Sequence, residues 1–355
     1  MQCAVIVTYK CNARCEMCYI WKHPSRTSEE VKPEHLESLP RNLRQVVISG
    51  GEPTLRQDIG EIAEVLYGKT KRLQLISNGT RPERLFELAG RFPGMSFRLS
   101  VDGLQDLHDE IRGLKNGFES CMAALVGLRD MGVKDLGISM TVSDRNCFDL
   151  LPLHRLAMDM GSEVAQSVPH NSPPFHKLDN EILDVETWEG HVEEFADRLL
   201  RSDRASWKQR AKDWVRAYVA HGYLAHQRSK ARPLPCKAGV DFFTVDPFGN
   251  VLPCNGMESE MPLGNLKKQP FDDIWSSETA QRVRSVTKSC ENCWMICNAV
   301  PSIRRHPIRV ASWVARNKLR AHFTRRSSPG SSEVTAAARR DVHAVPSRGA
   351  RWLQS

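Results

Sequence analysis

Short apolar runs recur along the first half of the chain, each followed by a stretch whose apolar residues repeat every three to four positions. The runs Ala4–Thr8, Gln45–Ser49, Arg72–Ser77, Ser96–Val101, Gly137–Val142 and Glu163–Val168 read as strands. Between them, Lys32–Leu39, Asp58–Leu66, Arg81–Ala89, Gly117–Met131 and Leu150–Met160 read as helices with one apolar face. Strand and helix in alternation predict an α/β fold with a parallel sheet. Six such units fit a partial (β/α)6 TIM-like barrel, in which active sites collect at the C-terminal ends of the strands.

The second half changes character. A Pro-rich segment with Ser172-Pro173-Pro174 leads into two charged amphipathic helices, about Val185–Leu200 and Ala205–Gln227, which read as a cover between two domains. Cysteines then cluster from Cys236 to Cys297. Ile308–Phe323, with Trp313, has the pattern of a basic amphipathic helix, and the Ser/Gly/Ala/Arg-rich remainder beyond about Arg325 is expected to be disordered. The expected divisions are 1–168 (core), 169–235 (helical cover), 236–300 (small C-terminal Fe–S auxiliary domain) and 301–355 (basic helix and tail).

Composition adds three constraints. At 355 residues and 41% hydrophobic, the chain can bury a large core. It shows no secretory signal pattern and no apolar run near the ~20 residues of a membrane span, so a cytoplasmic protein is expected. Eleven cysteines in a reducing compartment read as metal ligands rather than disulfides. The formal charge of +8 is unevenly placed: residues 301–355 hold 12 Lys+Arg against 2 Asp+Glu, leaving 50 − 12 = 38 against 42 − 2 = 40 elsewhere. A near-neutral body argues against nucleic acid as a partner. The basic helix could touch an anionic membrane surface weakly, or pack on the body with its charged face solvated.

The densest chemistry lies in Cys11-Asn12-Ala13-Arg14-Cys15-Glu16-Met17-Cys18. Three thiolates fill three corners of a [4Fe–4S] cube, which ordinarily takes four cysteines, so one iron is left open to an outside ligand. Structural zinc is the bland alternative, but it wants a fourth donor, and the nearest, His23, stands beside Pro24 five residues past Cys18.

This CxxxCxxC spacing resembles the signature of the radical S-adenosylmethionine (radical SAM) superfamily. Gly50-Gly51-Glu52-Pro53 follows the second strand, Ser77-Asn78-Gly79 ends the third and Ser100-Val101-Asp102-Gly103 ends the fourth, with Arg112 beyond. Two glycines permit close backbone approach, Glu52 can accept from an ammonium, and an arginine can clamp a carboxylate. The resemblance implies that Gly50, Gly51, Glu52 and Pro53 meet the amino group of S-adenosylmethionine, and that Ser100 and Arg112 hold its carboxylate. It places Ser77, Asn78 and Asp102 near the ribose and Met17 against the adenine. Cys11, Cys15 and Cys18 would hold the SAM-binding [4Fe–4S] cluster.

Cys236 and Cys254 are separated by 17 residues that include Gly249, with Cys290, Cys293 and Cys297 following. Phe242–Val245, a Pro/Gly turn and Val251–Leu252 read as a hairpin that brings Cys236 and Cys254 to one end. The C-x12-G-x4-C opening is similar to twitch and SPASM auxiliary domains, with too few cysteines for two further cubes. The reading is one auxiliary [4Fe–4S] cluster on Cys236, Cys254, Cys290 and Cys293, with Cys297 a spare thiol or substitute ligand; a four-cysteine zinc knuckle is the alternative. Cys3, Cys121 and Cys147 read as small buried apolar residues.

These features predict a radical SAM enzyme that cleaves S-adenosylmethionine to a 5′-deoxyadenosyl radical, drawing electrons from a flavodoxin or ferredoxin. A small polar natural product (a sugar, aminocyclitol or nucleoside) is the first expectation for the substrate, because only ten residues precede Cys11. A peptide-modifying maturase comes second, and a structural zinc protein with a basic partner-binding tail is the alternative from another class. Asp241, Asp246, Glu258 and His170 stand near expected site edges, and none is assigned as catalytic acid or base.

Overall fold

The structure is a computed structural model and describes residues 1–256 and 261–323, so the expected disorder beyond Arg325, and Glu258, lie outside the described residues. The barrel half runs β1 (Gln2–Ile6), α1 (Pro33–Leu36), β2 (Gln45–Ser49), α2 (Ile59–Tyr67), β3 (Leu73–Ser77), α3 (Pro82–Arg91), β4 (Ser96–Ser100), α4 (Gln105–Arg112), α5 (Gly117–Asp130), β5 (Leu136–Thr141), α6 (Leu150–Asp159) and β6 (Glu163–Ser167). Then follow α7 (Val185–Leu200), α8 (Trp207–Ser229), β7 (Phe242–Val245), β8 (Asn250–Leu252), β9 (Gly264–Asn265), α9 (Phe271–Ser276), α10 (Glu278–Lys288), α11 (Ile296–Arg305) and α12 (Pro307–Phe323).

The strand order is β6-β5-β4-β3-β2-β1-β7-β8-β9, one continuous sheet. The expected hairpin exists as β7 and β8, but it is not set apart from the barrel: β7 pairs in parallel with β1, Ala4 opposite Thr244, and β8 and β9 add antiparallel. Without β7, β1 would present a row of unpaired backbone groups along its outer edge.

Residues opposite one another in a ladder share a face, and the two faces differ sharply. Val5, Ile48, Leu75, Phe97, Ile138 and Val164 lie on the outer face and belong to the main buried core beneath the helices. The concave face is built differently. Toward the N-terminal ends it carries an ion-pair plug: Arg98 meets Asp135 at 2.7 Å and Glu163 at 2.9 Å, Arg72 meets Asp135 at 2.7 Å, and Arg216 reaches Glu163. Toward the C-terminal ends stand Val47, Ser49, Ile76, Ser139, Thr141, Ala165 and Ser167, all half-buried. Partly exposed serine, threonine and alanine side chains above a charged plug leave this side of the sheet as a hollow open to water.

Two helical details depart from the periodicity. The first helix stops after one turn at Leu36 rather than Leu39, ahead of Pro40, as the residue before a proline disfavours helical backbone. The short, charged α4 was not expected; it buries only His108 and Ile111. The C-terminal helix does pack on the body: Val310, Val314 and Ala321 are buried, and Trp313 stacks on His221 of α8 at 4.8 Å.

Candidate functional site

The loop after β1 carries Cys11, Cys15 and Cys18 at the C-terminal edge of the sheet, held mainly by backbone contacts. Arg14 N donates to Arg112 O at 2.8 Å and Glu16 N to Ile111 O at 3.0 Å, so the C-terminal end of α4 grips the loop. Gly113, at φ +56°, permits that approach, since an added Cβ would come within 2.9 Å of Arg14 Cβ. Cys15 and Cys18 both act electrostatically on Cys11, so the three thiols share one site. Burial pushes the thiol of Cys11 up to about 12 and that of Cys18 up to about 11. His23 packs on His176, with ring centroids 4.2 Å apart.

The Gly-Gly-Glu-Pro segment packs closely against the chain's own backbone. Gly51 N donates to Thr8 O at 2.7 Å and Glu52 N to Lys10 O at 2.8 Å, so the segment lies flush against the cysteine loop. A Cβ on Gly50 would meet Thr8 O at 2.6 Å, and one on Gly51 would strike Lys10 backbone and come within 2.9 Å of Cys11 Cβ. The chain's own backbone is what demands glycine there. Glu52 is fully buried, accepting from Thr54 Oγ1 at 2.7 Å, Ser77 Oγ at 2.9 Å and Asn78 N at 2.7 Å. Burial raises its pKa, opposed by those hydrogen bonds. Pro53, also buried, starts the turn that follows.

Asn78 donates through Nδ2 to Asn12 Oδ1 at 2.8 Å, and Asn12 donates to Thr80 Oγ1 at 2.8 Å. Asn12, between two of the cysteines, thus latches their loop to the end of β3. The sequence reading missed it, though an amide flanked by candidate ligands was a readable signal. Ser100 ends β4 beside Ser139 on the concave face. Asp102 is fully buried, bound by Arg112 at 2.8 Å and by Thr141 N at 2.7 Å. Arg112 reaches from Asp102 to Cys15 Sγ, 3.9 Å away. Burial opposes its charge, but Asp102 and Cys15 outweigh that and its pKa moves up. The Met17 carbonyl accepts from Asn180 at 3.2 Å. Cys121 is buried as expected, but its thiol also donates to Asn78 O at 3.0 Å.

Residues 170–180 reach the cysteine loop: Tyr19 N donates to Phe175 O at 3.0 Å, Lys177 Nζ to Tyr19 Oη at 3.1 Å, and Phe175, like Cys11 and Cys18, packs on the buried cluster of Ile6, Tyr9 and Ile20. His170 packs on Phe175, and burial pulls its pKa down to about 4.

The second cysteine group lies where β7 joins the barrel. Cys254 is influenced by Cys293, Cys236 and Cys290, and the half-buried Cys297 by Cys293, Cys254 and Cys236, so all five thiols converge. Cys254 is pushed up to about 12, chiefly by burial. Asn298 donates to Cys293 Sγ at 3.3 Å, and Gln2 at the start of β1 donates to Cys297 O at 3.2 Å. Trp294 anchors the segment by donating to Val219 O at 3.0 Å, with Gly222 making room for its ring. Among the described residues no His, Cys, Asp or Glu group has the geometry of a single-ion site. Of the other residues considered, Asp241 pairs with Arg305 at 2.6 Å and Asp246 accepts from Phe248 N and Asn250 N within its turn.

Comparison with known proteins agrees with this geometry. The Radical SAM superfamily model matches residues 5–145, and the iron–sulfur cluster-binding SPASM model matches residues 236–294. The chain is similar to the pre-heme d1 synthase of Dinoroseobacter shibae, 24% identical over 86% of this chain and 83% of the relative. It is also similar to the mycofactocin maturase MftC of Mycolicibacterium smegmatis (29% identical; 81% of this chain, 74% of the relative). A third relative is the sporulation killing factor maturation protein SkfB of Bacillus subtilis (23%; 82% and 68%). In fold it matches SuiB of Streptococcus suis with a TM-score of 0.59 at 15% identity, covering 80% of this chain and 67% of that one. The AdoMet- and peptide-bound anSMEcpe matches equally well, TM-score 0.59 at 15% identity over 89% and 99%. The chain is therefore a radical SAM enzyme, belonging to a superfamily that uses S-adenosylmethionine on a [4Fe–4S] cluster, and it carries one auxiliary [4Fe–4S] cluster in a SPASM-type domain.

Proposed function

We propose that the chain is a maturase that modifies a peptide by hydrogen abstraction in the hollow on the concave face of its sheet. The observation that carries this reading is the half-open rim of Ser49, Ser139, Thr141, Ala165 and Ser167 beside the cysteine loop. Small side chains admit a folded-in segment of chain, and hydroxyls can hydrogen-bond its amides. The names of the relatives support it: they include peptide and mycofactocin maturases, whereas the sugar, aminocyclitol or nucleoside substrate expected first has no such support. The same findings set the zinc reading aside.

In this reading Cys11, Cys15 and Cys18 hold the SAM-binding cluster, and Cys236, Cys254, Cys290 and Cys293 the auxiliary one, with Cys297 at hand as a fifth thiol. Bound there, the cluster and S-adenosylmethionine supply one-electron cleavage of a sulfonium and a radical able to abstract hydrogen. The protein's share is position. Met17, Gly50, Gly51, Pro53, Ser77, Asn78 and Ser100 shape the wall facing the cosubstrate. Glu52 and Asp102 act from behind, fixing that wall and orienting Arg112 toward Cys15. Residues 170–180 shield the loop from water. An acidic electron carrier such as flavodoxin or ferredoxin supplies the reductant.

A second reading has its own support: the pre-heme d1 synthase of D. shibae and the AdoMet-dependent heme synthase of Methanosarcina barkeri match over 83% of their own lengths. A tetrapyrrole would then occupy the same hollow. Anaerobic turnover with dithionite separates the two. Deuterium entering 5′-deoxyadenosine from a deuterated peptide pool is the expected result. No transfer from peptides, with a saturable Soret shift on adding iron coproporphyrin, would replace the peptide reading by the tetrapyrrole one.

A further inference from the structure

The C-terminal helix has two apolar edges, and only one is explained by packing. Val310, Val314 and Ala321 face the body, resting on α7 and α8. On the opposite side of the same helix, Ile308, Ala315 and Leu319 fall on one line, because a helix advances about 100° per residue. Ile308 is 84% exposed and Leu319 64%, placing them among the most exposed large apolar side chains described. Arg309, Arg316 and Arg320 flank that line on one side, all exposed. Trp313 meets His221 and Tyr218 while Lys318 lies over Trp214 at 4.0 Å, so α12 runs antiparallel to α8. Its far end thereby approaches the start of α8, where Trp207 is 67% exposed beside the exposed Lys208.

A solvated face of a packed helix has no need of leucine and isoleucine at its centre. Apolar side chains beside arginines, with an exposed tryptophan nearby, suit a surface that is anionic outside and apolar just beneath. We infer that this face of α12 docks the enzyme on an anionic lipid bilayer. Charge complementarity selects that occupant: residues 301–355 carry 12 Lys+Arg against 2 Asp+Glu, while the rest of the chain is close to neutral. The helix lies on the surface and does not cross it, since no described helix is long and apolar enough to span a membrane. The docking is independent of which substrate occupies the hollow.

Sedimentation of the full-length, cluster-loaded protein with vesicles tests it. The probes are pure phosphatidylcholine vesicles and vesicles in which about a third of the lipid is phosphatidylglycerol. The protein should pellet with the anionic vesicles only, and less as salt rises. Ile308→Asp with Leu319→Asp, and separately Arg309→Glu with Arg316→Glu, should each weaken partitioning at least ~10-fold. All four side chains are exposed, so thermal midpoint and iron content should stay at wild-type values. Partitioning no better than to phosphatidylcholine overturns the inference. So does binding that ignores the Ile308/Leu319 pair, or that duplex RNA or DNA displaces while itself binding regardless of that pair, because the surface would then be a general polyanion site.

Discussion

The two cysteine groups are built in contrasting ways. The first three thiols sit on an irregular loop held by main-chain hydrogen bonds from α4 and from Gly51-Glu52, so its shape depends on backbone touching backbone. The other five converge from a hairpin, a loop and a helix, and are supported by side chains: Asn298 on Cys293, Trp294 on α8, Gln2 on Cys297. The first group offers three thiols, so a [4Fe–4S] cluster held there would keep one iron for an outside ligand. The second has thiols to spare in an apolar setting against Ala4 and Phe242. Openness suits a centre that must bind and cleave a cosubstrate, and closure suits one that only passes electrons.

The sharpest way to break the comparison is to remove one ligand from each group. Cys15→Ala should abolish 5′-deoxyadenosine formation with dithionite as reductant. Cys254→Ala should still form it while losing modified product; chromatography of both products decides, and the reverse pattern would exchange the two roles.

A control away from both groups is the charged plug. Arg98→Met leaves Asp135 and Glu163 short of a buried partner and should cost about 3–5 kcal/mol in denaturant unfolding. The same region sets acid sensitivity. Burial, partly opposed by Asp213, lowers the pKa of His154 from 6.5 to about 4. The unfolded chain takes up that proton first, so this stability is complete above about pH 6.5 and falls by about 3 kcal/mol toward pH 4. Glu163 acts lower down: burial alone would raise its pKa, but Arg216 and Arg98 bring it to about 2, so its contribution is present above pH 4.5 and lost toward pH 2. A thermal midpoint unchanged between pH 7 and pH 4 would contradict this.

Glycine substitutions sharpen the contrast more gently. A Cβ at Gly51 meets the rigid Lys10 backbone, whereas one at Gly256 meets the flexible end of Met295 at 2.8 Å and Cys293 Sγ at 3.2 Å. Gly51→Ala should therefore cost about 1–3 kcal/mol and deplete iron from the first site, with Gly256→Ala milder. The smallest effect expected is from Asn298→Leu, with auxiliary iron lost to a chelator about 10-fold faster and the first cluster untouched. Equal loss from both would show that the two groups are mechanically linked.

What was legible in the chain was whatever local pattern controls. Strands β2 and β6 begin where their apolar runs begin, and the thiol spacings name their chemistry, because ligands close in sequence cannot be far apart in space. Long-range pairing was not legible. Nothing local says that Phe242–Val245 will join β1, that Asp102 will pair with Arg112, or that Gly51 will lie against the Lys10 backbone. Periodicity likewise shows that α12 is amphipathic, but only packing shows which apolar edge is covered. The sequence by itself determined the elements and the class of chemistry; the tertiary structure decided which side chains face the hollow, since hydrogen bonds and buried contacts between distant segments select one register and one face from many that local propensity allows.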